Sequence, residues 1–347
     1  MTYLCQHIFR PMTHFKNISI VLFTIFQIVA CTNIQSKDKV VVESMKISTD
    51  GSDKTTSLKS MKASDILKKL KKGENIQVFN AMIEGDLDFT EVSSPALISP
   101  NQFTSDVAQH ISFFNCVFMG KVIAFKKVID KTTFLYRTRF GGNLCFFGCD
   151  FQNVVNFRNA TINGDVYFPN CQFFDDASFD WMLINGTQVN FVSTIAQKKF
   201  DFSNTVVRGN ISFMDAKFAE DASFPGLKAD NLNFNNINVG GQFRLSEAQI
   251  SGIVMFNYAM VEGETLLSYS KFDDKVNIVQ STFNGDFSIQ ESVFYGKTKM
   301  NRSVFKKNIT TENAIFELIP EMMSIEKRSE EQIAVEVKNT STILLNH

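Results

Sequence analysis

Between Phe113 and Phe316 the chain repeats an apolar pattern every 11 residues, and that period decides what it can fold into. Each unit reads apolar-x-x-small-x-apolar-x-Gly-x-aliphatic-x, as in Ile289, Ser292, Phe294, Gly296 and Thr298. The first apolar slot is held by Phe113, Ala124, Leu135, Phe146, Phe157, Phe168 and Phe179. After one inserted residue it continues from Phe191 to Phe224, and after one deletion from Phe234 to Thr311. The second slot lies five residues later in every unit, from Phe118 and Ile129 to Phe305 and Phe316. These 19 units hold 38 slots, of which Phe fills 21 and only Thr311 is polar, so the register is no accident.

Steps of five and six residues do not follow the 3.6-residue helical period. A smaller residue sits two positions before each large one, as Cys171 before Phe173, Ala216 before Phe218 and Ser281 before Phe283. A step of two places both side chains on one face of an extended segment. The chain must therefore turn after every short strand and stack on itself, small residue on small and large on large. Glycines follow the second slot in many units, among them Gly120, Gly142, Gly164, Gly186, Gly263 and Gly285. We read them as residues that tolerate the left-handed backbone of a sharp corner.

Phe168-Pro-Asn-Cys171-Gln-Phe173 and Phe213-Met-Asp-Ala216-Lys-Phe218 resemble pentapeptide-repeat proteins, with Asn170 and Asp215 before the small residue. The resemblance covers residues 113–316, and Ile83 to Phe89 more weakly as an opening coil. It implies an all-β solenoid, a right-handed quadrilateral β-helix with four short faces per coil. The alternating step of five and six departs from the family's strict five and gives 22 residues per coil. Nine to ten coils at about 4.8 Å each make a rod about 45 Å long.

Open ends of such a rod would pair with other chains. Ser64 to Leu70 carries an apolar stripe with an N-cap at Ser64 and a stop at Gly73, which predicts a short capping helix. Pro320 predicts the start of a second helix running to about Val337. That helix either covers its own rod or pairs with a second copy, as in family dimers.

Ile18 to Ala30 is an apolar run of 13 residues behind Arg10 and Lys16. A bilayer-spanning helix needs about 20 residues, so the layout is that of a secretory signal. Either Met1 or Met12 starts it. Ile28-Val29-Ala30-Cys31 resembles the lipobox of bacterial lipoproteins, which implies cleavage before Cys31 and a lipid on its sulfur. Thr32 after the Cys resembles the pattern sent to the outer membrane in Gram-negative cells. The domain reading is therefore a signal peptide over 1–30 and a polar, flexible tether over 31–60. An N-terminal cap, opening coil and loop follow over 61–112, then the repeat over 113–316 and a C-terminal helix and tail over 317–347.

Lys plus Arg is 35 and Asp plus Glu is 36, which gives no nucleic-acid footprint. Beyond the signal only His110 and His347 remain, too few for a His-based metal site or catalytic triad. Outward acids such as Asp175 and Asp273 read as a solvated face. No cofactor, metal or catalytic residue is expected. Cys149 and Cys171 are 22 residues apart, one coil, which brings their Cα atoms within disulfide reach at about 5 Å. Cys116, Cys149 and Cys171 all fill the small inward slot and read first as core packing, with the Cys149–Cys171 disulfide as the alternative. The insertion Thr90 to Asp106 interrupts the early repeat and reads as a connector or a functional loop.

Together these features predict a lipid-anchored cell-envelope scaffold, held to the bilayer through acylated Cys31 and binding a protein or glycan. Two rivals stand beside it. Some family members resemble duplex DNA and interact with gyrase, and some β-helices act on glycans.

Overall fold

The structure is a computed structural model. It describes residues 40–43, 58–323, 326–327, 333–337 and 340–345, with side chains over 58–323. The signal segment and Cys31 lie outside the described residues.

The chain winds into a parallel β-solenoid of about twelve turns with four sheets, named I to IV here in the order a coil visits them. One coil runs Val166–Tyr167 in sheet I, Gln172–Phe173 in sheet II, Ala177–Ser178 in sheet III and Leu183–Ile184 in sheet IV. The next begins at Gln188–Asn190, paired in parallel with the first. Backbone bonds between coils satisfy the short strands, as Gln172 N to Cys149 O at 2.9 Å. Four sheets per coil and a 22-residue step agree with the period, and the count exceeds nine to ten because coils form on both sides of the repeat.

All the apolar slots are buried except Ile129, Leu135 and Thr311. The inward rings of sheet I stack in a column from Phe113 through Phe146, Phe168, Phe191 and Phe213 to Phe234. Neighbouring centroids lie 4.8 to 5.4 Å apart, within the range of favourable offset pairs. Repeated Phe thus follows from parallel in-register stacking, because an identical ring above and below fills the layer without a void.

The slots at Ile129 and Leu135 correct the register. Phe113 pairs with Phe146, so that coil takes 33 residues rather than 22. The surplus is a hairpin of Phe125–Asp130 against Thr132–Phe140. An insertion of one unit's length leaves the period unbroken, which is why the repeat carried straight through it. Ile129 stands 73% exposed at its tip.

The corner glycines also differ from expectation. None of those in the repeat slot has positive φ. The left-handed residues lie at the other corners, just before the small slot: Asn170, Asp215, Glu247, Tyr258, Gln280, Glu291 and Arg302 among them. The slot needs glycine for close approach instead. A Cβ on Gly186 would fall on the carbonyl of Gly164 one coil below, and one on Gly285 on that of Gly263.

At the N-terminal end one helix, α1 (Ala63–Lys71), buries Ala63, Ile66, Leu67 and Leu70. It lies in the path between Lys59–Lys62 of sheet II and Asn75–Phe79 of sheet I, where later coils place strands of sheets III and IV. Lys62, not Ser64, precedes its first turn, and Gly73 ends it at φ 80° with its N–H on Leu70 O. The span read as a tether contains the strand Val40–Glu43, paired with Asn75–Val78.

At the other end the helix expected from Pro320 is absent among the described residues. Ile333–Val337 and Thr340–Leu345 form an antiparallel hairpin that extends sheet IV from Ile315–Phe316. Alternating β-branched residues at Ile333, Val335 and Val337 suit a strand, and that local preference outweighs the proline start.

Candidate functional site

The rod departs from its repeat at one shoulder, where two hairpins leave sheet IV side by side. The first joins Ala96–Ser99 to Gln102–Val107, with Pro95 and Pro100 bounding its outer strand. The second is the hairpin inserted at Phe125 to Phe140. They meet through parallel pairing of Gln102–Val107 with Leu135–Phe140. Phe103 stacks on Tyr136 across that pairing, with centroids 5.1 Å apart. The loop expected from Thr90 to Asp106 is thus the first hairpin, and the repeat hid its partner.

The shoulder is pinned by polar contacts. Ser93 accepts the Asp106 N–H at 2.7 Å, and Arg139 grips Asp106 through Nε at 2.9 Å and Nη2 at 2.6 Å. The Arg158 guanidinium lies 5.8 Å from the Phe125 ring centre and 3.1 Å from Asp180 Oδ2. Burial pushes the Asp180 carboxyl up, against the pull of Arg158 and a hydrogen bond from Ser178. No sequence signal marked this trio, whose members come from different coils.

Beneath the second hairpin lies a cavity of about 520 Å³ between Glu91, Val92, Pro95, Lys126, Val128 and Tyr136. Lys126 reaches back from the hairpin to Asp88 at 3.1 Å and Glu91 at 3.3 Å. The hydrogen bond to Asp88 is the chief reason its ammonium is held above the usual lysine range. Asp88 is buried and also accepts the Thr90 N–H at 2.9 Å. Both carboxylates are engaged by the same cation, so the arrangement positions the hairpin rather than freeing an acid or base.

Cys149 and Cys171 stack one coil apart as their spacing implied, with Cys116 below them, and all three are free and buried. Cys171 Sγ donates to Phe146 O at 3.2 Å and Cys149 Sγ to Phe113 O at 3.6 Å. Burial holds the Cys149 thiol well above its ordinary range. Asp175 lies 3.4 Å from Lys198 and Asp273 2.8 Å from Lys271, which fits the solvated-face reading. Among the described residues no three His, Cys, Asp or Glu converge as a metal site.

A family model described as pentapeptide repeats (9 copies) matches residues 135–180. No curated protein and no solved structure matches the chain. Residues 135–180 therefore match pentapeptide repeats, and they lie within a parallel β-solenoid whose regular faces are broken among the described residues by the hairpin shoulder.

Proposed function

We propose that the protein is a non-enzymatic, lipid-anchored scaffold of a bacterial cell envelope. Acylated Cys31 would hold it to the bilayer and the rod would present a protein or glycan partner with a rigid face. The observation that carries the binding role is the shoulder. One proline-bounded strand stiffens it, and the Arg139–Asp106 clamp and the Lys126 bridge spend their polar groups on rigidity, as a recognition surface requires. The lipobox-like Ile28 to Cys31 supports the address.

Fatty-acid labelling and fractionation of the full chain beside Cys31→Ser test the anchor. Label and membrane location that both vanish in the variant support it. An unlabelled cytosolic protein removes the envelope reading and returns the gyrase-interacting alternative. Turnover of an envelope glycan by the purified protein would replace the scaffold with an enzyme.

A further inference from the structure

The two hairpins of the shoulder turn at Pro100–Asn101 and at Lys131. Their second strands run parallel with Gln102 opposite Leu135, so both turns lie at the same end, three residues out of step. Near those turns each hairpin exposes two aliphatic side chains. Leu97 is 66% and Ile98 46% exposed on one, and Val128 37% and Ile129 73% on the other. Successive strand residues point to opposite faces, so these four give each hairpin end exposed aliphatic side chains on both of its faces.

Charge gathers at the same place. Residues 121–139 hold six basic side chains (Lys121, Lys126, Lys127, Lys131, Arg137 and Arg139) against Asp130 alone. With Asp88, Glu91 and Asp106 of the adjoining half counted, residues 88–139 carry six bases against four acids, a net +2 in a chain whose net charge is −1. Lys126 and Arg139 are consumed by ion pairs within the shoulder. Lys127 and Lys131 flank Ile129, are exposed, and enter no ion pair among the described residues.

We propose that the paired tips are a contact site for an anionic lipid surface. Leu97, Ile98, Val128 and Ile129 would enter the headgroup boundary while Lys127 and Lys131 meet the phosphates. Cationic side chains behind an apolar edge are the chemistry by which proteins lie on anionic bilayers. Of the four only Val128 also borders the cavity beneath the hairpin, and the outermost, Ile129, stands 73% exposed between two exposed lysines, which suits a yielding anionic hydrocarbon boundary. The contact is independent of Cys31. It would act as a second point of attachment that fixes the orientation of the rod.

The test uses the full chain carrying Ile129→Trp, because position 129 is exposed and the chain has one other Trp, Trp181. Vesicles of phosphatidylglycerol should shift the new indole's emission to the blue, and brominated acyl chains should quench it. Vesicles of phosphatidylcholine should do neither, and the unsubstituted chain reports Trp181 alone. Adding Lys127→Glu and Lys131→Glu should weaken the response at least about ten-fold. Ile98→Trp repeats the reading on the other tip should one variant misfold. An indole unquenched in phosphatidylglycerol, equal quenching in phosphatidylcholine, or tips that engage only a soluble acidic protein would each overturn the proposal. Because the reading is local to the tips, its result is separable from whether Cys31 is acylated.

Discussion

The hydroxyl of Ser292 donates to the carbonyl of Leu267, 25 residues earlier, at 2.7 Å. The same oxygen accepts the Ser270 N–H at 3.0 Å. One buried side chain thus closes an acceptor and a donor on the neighbouring coil. Ser270 and Ser281 repeat the arrangement, and Cys171 places its sulfur over Phe146 O with the same 25-residue separation. The small slot is therefore a hydrogen-bonding position as well as a gap in the packing.

Ser292→Ala should then cost about 1–3 kcal/mol, since it leaves a buried carbonyl and a buried N–H without this partner. Cys171→Ser should be close to neutral, because the hydroxyl finds the same carbonyl. Urea unfolding of the two variants checks the contrast. Equal losses at both sites would mean that volume alone sets the small slot.

The two kinds of corner make opposite predictions for glycine. Gly186→Ala would press a methyl group into the Gly164 carbonyl, and neither backbone can move without shifting a coil. We expect a loss of about 1–3 kcal/mol, the range for overpacking. Gln280, at φ 55°, bears the left-handed backbone with a full side chain. Gln280→Gly should relieve up to about 1–2 kcal/mol of that cost, less what it adds to unfolded-chain entropy. Thermal melts of the two variants should move in opposite directions.

Those corners show how far the sequence could be read. The side-chain step of two and the 11-residue period gave strand direction, slot and coil length, because burial in a stacked rod is strictly periodic. The role of glycine was misplaced because a residue without Cβ serves both positive φ and close approach, and sequence alone does not separate them. The left-handed residues escaped notice because Asn, Tyr, Glu, Gln and Arg share no side-chain chemistry there. The hairpin at Phe125 to Phe140 stayed hidden for an arithmetic reason, its length matching one unit. Lysine crowding at Lys126, Lys127 and Lys131, where other units alternate polar with apolar, was the one visible sign of it.

The column of Cys116, Cys149 and Cys171 predicts a chemical silence. Attack on an alkylating agent requires thiolate, and burial opposes its formation at Cys149. At Cys116 the contact with Cys149 and then burial act in the same direction. Iodoacetamide should leave all three unmodified in the folded protein and label all three in denaturant. Mass spectrometry of tryptic peptides would show it. A Cys149–Cys171 disulfide in material purified from an oxidising compartment would appear instead as a mass two hydrogens lighter, resistant to alkylation even when unfolded.

The Lys126 bridge makes the last prediction, and its sign follows from the direction of the shift. The folded protein holds this ammonium above its ordinary 10.5, chiefly through Asp88. A base raised by a partner contributes its stability in full below the unfolded value and loses it as pH climbs through the folded one. Lys126→Met removes the contribution and leaves Asp88, itself buried, without its cation. The variant should unfold more easily than the parent by a constant margin from pH 7 to about 10, and the margin should shrink above about 10.5. Trypsin at neutral pH offers a local check, because a hairpin freed from Asp88 and Glu91 should be cut faster at Lys127 and Lys131. A margin that narrows near neutrality, or unchanged cleavage, would mean that the Phe103–Tyr136 contact and strand pairing hold the hairpin without the ion pair.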